Sequence, residues 1–340
     1  MKYLIVGGAG FIGSNLSAWL ISQGNEIVIF DNLSRRGTEH NLAWLREHFS
    51  SCRFGNCDVR NYEELHDAYR QFQPFDVIVH LAAQVAVTTS VEDPRTDFEI
   101  NAMGSFNMLE TIRHCGDDPI FLFSSTNKVY GGMDHVKIVE NESRYEYVDQ
   151  PDGIDEQCPL DFHSPYGCSK GCADQYVRDY SRIYGLRTVV FRQSAIYGPR
   201  QFGVEDQGWA AWFSICAAKG NPLTIYGDGK QVRDLLWVED LVAAYQKAVE
   251  HINTAKGHIF NIGGGVEKSI SIWREFGPIL EKEIGHAIPV SFADWRPGDQ
   301  KVCIMNIEKA KKELGWEPKV GVEEGTAKLV QWVKENLSIL

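Results

Sequence analysis

Tyr3-Leu4-Ile5-Val6-Gly7-Gly8-Ala9-Gly10-Phe11-Ile12-Gly13 is the stretch that decides the fold. Its first four residues form an apolar run of the kind that fills a strand buried on both faces, and an amphipathic helix follows to about Gln23. Strand, glycine turn and helix in that order suit a dinucleotide. The glycines let the backbone approach a pyrophosphate, and the helix start offers unpaired N–H groups and the positive end of its dipole. The spacing is Gly-x-x-Gly-x-x-Gly, not Gly-x-Gly-x-x-Gly, and reads in context as the same device, a bare strand–helix turn being the plainer alternative. Gly7, Gly10, Phe11, Ile12 and Gly13 are the first candidate cofactor contacts.

A second strand over 26–30 ends in Asp31, some twenty residues past the glycines, where a carboxylate accepts hydrogen bonds from an adenosine ribose. That favours NAD over NADP, because Asp31 would repel a 2′-phosphate, although Arg35 and Arg36 could accept one. Asn32, Ser34 and Arg35 join the cofactor candidates. Strand and helix then alternate: 53–57, 62–72, 77–81, a long helix over 94–115, and 120–125. Such alternation predicts an α/β fold with a doubly wound, Rossmann-type parallel sheet. Asp58 and Val59 follow one strand and are assigned to adenine, with a helix cap as the alternative for Asp58. Leu81, Ala82, Ala83 and Gln84 follow the next and are assigned to the diphosphate and nicotinamide.

With 340 residues the chain can bury a substantial core, and 44% hydrophobic with 24% charged residues is ordinary for a soluble protein. A net charge of −12 argues against a nucleic-acid surface. The eight cysteines include no Cys-x-x-Cys and no His-rich partner cluster, so no metal site is expected. Without an apolar run near ~20 residues or a signal-peptide pattern, the expectation is a cytoplasmic protein with no membrane partner.

The chemistry is placed at Ser164-Pro165-Tyr166-Gly167-Cys168-Ser169-Lys170. Ser164 can cap a helix and Pro165 suits its first position, which sets Tyr166 and Lys170, four apart, on one face. A free tyrosine titrates near ~10, so service as a base near neutrality needs ~3 units, or ~4 kcal/mol, of differential stabilisation of the phenolate. Lys170 and an oxidised nicotinamide could supply it. Thr126, closing the strand at 120–125, is the candidate hydroxyl that binds the reacting alcohol and passes its proton toward Tyr166.

Residues 132–162 read as a long acidic connection of little periodicity, either a cover over the sugar or a solvated decoration. After a strand over 188–192 the alternation loosens. Residues 1–192 are expected to form the dinucleotide domain, with a return to it within 235–262, and 193–340 a smaller C-terminal α/β substrate domain. In it, strands are expected over 223–226 and 232–237, a helix from Ser271, and two helices around Pro318. Lys230, Arg233 and Arg296 could each grip a diphosphate or form a surface ion pair.

The glycine turn, Thr126 and the Tyr166-x-x-x-Lys170 pair, in this order, resemble the extended short-chain dehydrogenase/reductase family over nearly the whole chain. The stretches 124–131, 160–171 and 197–209 are similar to those of the CDP-paratose/CDP-tyvelose 2-epimerases within it. The resemblance implies a CDP-sugar substrate on the way to lipopolysaccharide O-antigen. Its carbon 2 would be inverted through transient oxidation to a 2-keto sugar by a tightly bound NAD that is regenerated each turnover. It also implies a homo-oligomer, dimer or tetramer. Lys170 would contact the nicotinamide ribose, Arg233 and Arg296 the diphosphate, and Asn127, Gln193, Gln201 and Asn261 the substrate. A UDP-sugar 4-epimerase, which uses the same hydride cycle, is the nearest alternative. A 4,6-dehydratase would need an Asp-Glu pair where Asn127 and Lys128 stand, and a non-catalytic NAD-binding protein would have no use for the intact Thr126, Tyr166 and Lys170.

Overall fold

The computed structural model describes residues 1–296 and 298–340. The chain runs β1 (Lys2–Val6), α1 (Phe11–Ser22), β2 (Glu26–Asp31), α2 (Thr38–His48), β3 (Arg53–Asn56), α3 (Tyr62–Phe72) and β4 (Val77–His80). It continues with α4 (Val87–Glu92), α5 (Pro94–Phe98), a π turn (Glu99–Met103), α6 (Gly104–Cys115) and β5 (Ile120–Thr126). A short hairpin, β6 (Ile138–Glu140) and β7 (Tyr145–Tyr147), precedes α7 (Ser164–Tyr184) and β8 (Arg187–Gln193). Then come β9 (Ala195–Tyr197), α8 (Trp209–Ala218), β10 (Leu223–Tyr226), β11 (Val232–Trp237), α9 (Val238–Glu250), α10 (Ile252–Ala255) and β12 (Ile259–Ile262). The last elements are β13 (Ser269–Ser271), α11 (Phe276–Ile284), β14 (Val290–Ala293), β15 (Val302–Cys303), α12 (Glu308–Leu314) and α13 (Val322–Glu335).

Seven strands make one sheet in the order β12-β8-β5-β4-β1-β2-β3, and every neighbouring pair is parallel. The apolar runs are continuous because both faces are covered. Tyr3 and Ile5 join the core beneath Leu16 of α1, Leu241 and Tyr245 of α9 and Leu314 of α12. Leu4 and Val6 point the other way, into the core with Tyr69 of α3, Met108 of α6 and Val177 of α7. The order reverses between β1 and β4, and the crevice at their C-terminal ends is where an open α/β sheet binds its ligand.

A separate core, including Phe213, Ile225, Leu235, Phe276 and Val333, underlies the second region. The division at 193 is not a clean cut. β12 hydrogen-bonds β8 at the sheet edge, and Ala310, Leu314 and Trp316 pack in the first core, so the chain re-enters the sheet region twice.

Three local expectations change. The 94–115 helix carries a π turn, and 132–162 is not featureless. Its hairpin docks on the second region: Tyr145 donates its hydroxyl to Asp228 Oδ2 at 2.5 Å and Tyr147 to Val302 O at 3.0 Å. Ser271 ends a strand paired with Val232, so the following helix begins only at Phe276.

Candidate active site

The glycine turn is built for close approach. Gly7 has φ +82, and a Cβ there would lie 2.6 Å from Ala82 N. A Cβ on Gly13 would lie 2.5 Å from Gly7 O, so the helix could not follow the strand so tightly with any other residue. No side chain caps α1 and none in its first turn is acidic, which leaves its first N–H groups to an anion. Asp31 is fixed at the end of β2 by the N–H groups of Ala9 (3.1 Å) and Leu33 (2.9 Å). Asn32 donates to Asp58 at 3.0 Å, and hydrogen bonding from Arg60 holds Asp58 down to about 2. Asn61, not Asp58, caps α3. Phe11, Ile12, Asn32, Ser34, Arg35, Asp58, Val59, Leu81, Ala82 and Ala83 all line this cleft with the glycines and Asp31, so these residues fit a dinucleotide. Gln84 does not line it. The Gln84 amide folds back on Ala86, donating to its carbonyl at 2.7 Å.

A second cleft opens from the first and brings Thr126, Tyr166 and Lys170 together with Ser124, Gln193 and Gln201. Ser164 takes φ +65, a strain of order 1–3 kcal/mol for a residue with a Cβ, and in that conformation its Oγ accepts the Gly167 N–H at 3.2 Å. The Tyr166 N–H is taken up by Ser90 Oγ at 3.1 Å, which fixes the start of α7. Burial pushes the Tyr166 phenol up to about 12; a hydrogen bond with Thr126 pulls it down, Asp97 pushes it further up and Arg35 pulls it down. Burial pushes Lys170 down to about 7 against the pull of Asp174 and Asp97. Its ammonium donates to Ser124 O at 2.6 Å and lies 4.3 Å from the Phe123 ring centre. Burial and Asp97 are thus the influences that Tyr166 and Lys170 share, and the ammonium is turned toward the strand end at Ser124.

Beneath the pair lies a network that the sequence reading missed. Ser169 Oγ donates to Asp97 Oδ2 at 2.5 Å, and the Asn101 amide donates to Asp97 Oδ1 (3.1 Å), Ser169 Oγ (3.1 Å) and Gln84 O (3.0 Å). All three side chains are buried, and they tie the loop after β4 to α7. An Asp and an Asn four apart on a helix were the available signal, but the π turn that aims both inward leaves no mark in the residue pattern.

The substrate candidates divide. Gln193 and Gln201 line the second cleft, Gln193 donating to the Tyr245 hydroxyl at 2.6 Å. Asn127 sits beside Thr126, its amide donating to Cys303 Sγ at 3.0 Å, outside the lining. Asn261 lies in the core outside the cleft lining, accepting from Tyr130 at 2.7 Å and donating to Ile154 O at 2.8 Å. The three cations each meet a carboxylate: Arg233 with Asp299 (2.6 Å), Arg296 with Asp206 (2.9 Å) and Lys230 with Glu140 (2.9 Å). No Asp or Glu lines the cleft around Tyr166 among the described residues. Among the described residues, no group of His, Cys, Asp and Glu is arranged to hold a metal and no helix is long and apolar enough to cross a membrane.

Comparison with known proteins places this geometry. A family model for GDP-mannose 4,6 dehydratase matches residues 4–329. The chain is 44% identical over 337 residues to a CDP-paratose 2-epimerase of Salmonella typhi, with 98% of this chain and 99% of that one covered. A UDP-glucose 4-epimerase of Thermus thermophilus, solved in complex with NAD, superposes with a TM-score of 0.82 at 33% identity, covering 98% of this chain and 99% of its own. A dTDP-glucose 4,6-dehydratase of Streptomyces venezuelae, solved with NAD bound, superposes with a TM-score of 0.84 at 29% identity, covering 99% and 98%. A match of this length, with the glycine turn and the Tyr166–Lys170 pair lining adjoining clefts, means that the chain belongs to the GDP-mannose 4,6 dehydratase family of extended short-chain dehydrogenase/reductases.

Proposed function

We propose that the protein is a nucleotide-sugar epimerase that interconverts CDP-paratose and CDP-tyvelose at carbon 2, with NAD as its cofactor. The observation that carries this reading is full-length similarity to a CDP-paratose 2-epimerase combined with a reacting cleft that holds a phenol, a threonine and a lysine and no carboxylate. Expelling a sugar hydroxyl needs a carboxylic acid or comparable group beside the leaving oxygen, which argues against elimination.

Tyr166 takes the proton of the carbon-2 hydroxyl. Thr126, in the same cleft as the phenol, holds that hydroxyl and relays its proton. NAD, held at the glycine turn and Asp31, would supply the acceptor for the carbon-2 hydride and its return to the other face of the keto sugar. Lys170, anchored on Ser124 O, holds the cofactor side of the site, where by family likeness it would meet the nicotinamide ribose. Inverting the carbon by direct deprotonation would require a far stronger base than any in the cleft, so oxidation and return is the accessible route. Gln193 and Gln201 are the cleft amides available to the sugar. Arg233 and Arg296 would reach the diphosphate by exchanging Asp299 and Asp206 for phosphate oxygens.

A second copy of the chain is proposed to cover the exposed apolar residues Val91, Phe98, Met103, Tyr176, Ile183 and Tyr184 on α4, α5, the π turn and α7, giving a homodimer. Light scattering tests it: a monomer at micromolar concentration refutes this part.

Turnover on CDP-tyvelose, CDP-paratose and UDP-glucose tests the main reading. Tyr166→Phe is expected to abolish epimerisation of the CDP-sugars while NAD stays bound. Unchanged turnover in that variant, or turnover of UDP-glucose alone, overturns the assignment.

A further inference from the structure

The dinucleotide cleft has a second wall. Facing the glycine turn and Asp31 are Arg200, Gln201, Phe202 and Gln207, all from the segment 199–207 that leads from β9 to α8 in the second region.

This segment is fastened to the first region at its start, middle and end. At its start the Asn15 amide of α1 donates to Pro199 O at 3.0 Å, and the Arg200 guanidinium donates back to Asn15 Oδ1 while stacking 4.1 Å from the Trp44 ring centre. One amide, that of Asn41, donates both to Arg200 O (3.2 Å) and to Ala9 O (3.1 Å), which binds the segment directly to the glycine turn. In the middle the Phe202 ring lies on Gly37, so close that a Cβ there would fall 2.2 Å from it. Phe202 also stacks on His40 with 5.7 Å between ring centres, and meets Trp332 of α13 edge-on at 6.2 Å. At the end Arg35 donates to Gln207 Oε1. Arg35 and Gln207 both line the dinucleotide cleft from opposite walls, and Gln207 lines the reacting cleft as well.

We propose that 199–207 is a strap across the dinucleotide cleft, and that Phe202 seated on Gly37 and Gln207 held by Arg35 are the fastenings that keep NAD bound through the cycle. The proposal rests on the epimerase reading. In that cycle the cofactor is reduced in the first half and needed again in the second, so escape between halves leaves a dead enzyme and a stranded keto sugar. An open cleft cannot prevent escape; a wall from the other region, anchored at three places, can. The energetic effect falls on release more than on entry, because the lost contacts are those broken as the cofactor leaves.

The test is cofactor retention, read without activity. Wild-type protein and the variants Phe202→Ala, Gln207→Ala and Arg35→Ala are purified, their NAD is assayed after acid release, and dissociation is followed by capture of freed NAD with a coupled dehydrogenase. The wild type is expected to retain NAD, Phe202→Ala and Gln207→Ala to release it about tenfold faster or more, and Arg35→Ala combined with Gln207→Ala to be no faster than the worse single variant, since both break one fastening. Circular dichroism checks that each is folded. Release at the wild-type rate from folded Phe202→Ala and Gln207→Ala overturns the strap while leaving the epimerase reading intact. A wild type that neither carries nor binds NAD overturns both.

Discussion

Ser169 Oγ lies 2.5 Å from Asp97 Oδ2, one residue before Lys170 and three after Tyr166. Asp97 is buried, and its charge pushes both the Tyr166 phenol and the Lys170 ammonium toward their protonated forms. Other charged and titratable groups facing the pair are Asp174 and the ion-paired Arg192 on the α7 and β8 side, Arg35 from the loop after β2 and the buried His80 of β4. Asp97→Asn removes one negative charge and leaves these in place. Phenolate and neutral amine both become easier to form, so both limbs of the pH–rate profile are expected to move to lower pH. Loss of activity with an unmoved profile would show that Asp97 serves packing alone.

Thr126 pulls the phenol down, and its Oγ accepts the Lys128 N–H at 3.2 Å. Thr126→Val keeps the shape and removes both. We expect kcat to fall about 10²-fold, within the usual range for a lost proton-transfer partner, with NAD content unchanged. Steady-state rates on the CDP-sugar check this.

Arg192 and Asp174 form a bidentate pair at 3.0 Å on each arm, both fully buried, and Ser125 Oγ donates to the same carboxylate at 2.7 Å. Removing one partner strands a buried charge, so Asp174→Ala is expected to cost about 3–5 kcal/mol of stability. Urea unfolding measures it. A loss under 1 kcal/mol would mean that the stranded guanidinium finds water.

The strands at the centre of the sheet, β1, β2, β4 and β5, were legible because they are apolar runs closed by glycine or polar residues, whereas the edge strand β12 had no such mark beyond the expected return of the chain within 235–262. The helix Tyr62–Phe72 and the strands Leu223–Tyr226 and Val232–Trp237 stand where their patterns place them. α2 was not read: Leu42 and Leu45 are the buried apolar residues on a face it shares with Thr38 and Asn41. The hairpin at 138–147 has strands of three residues and exists through contacts such as Tyr145 with Asp228, which no local pattern encodes. In the site, Thr126, Tyr166 and Lys170 carried local signals of strand end and helical spacing. Asn261 and the arginines did not, because what an amide or guanidinium meets is decided by distant residues such as Ile154 and Asp299. The strap escaped notice for the same reason: Phe202 and Gly37 are far apart in sequence and meet in the fold.

The central claim is that an electron pair leaves carbon 2 and comes back to the same atom without passing through water. CDP-tyvelose carrying deuterium at carbon 2, turned over to equilibrium in ordinary water, tests it directly. Full retention of deuterium at carbon 2 in the CDP-paratose formed is the result this site predicts. Loss of the label to solvent at the rate of epimerisation would contradict it and point to direct deprotonation.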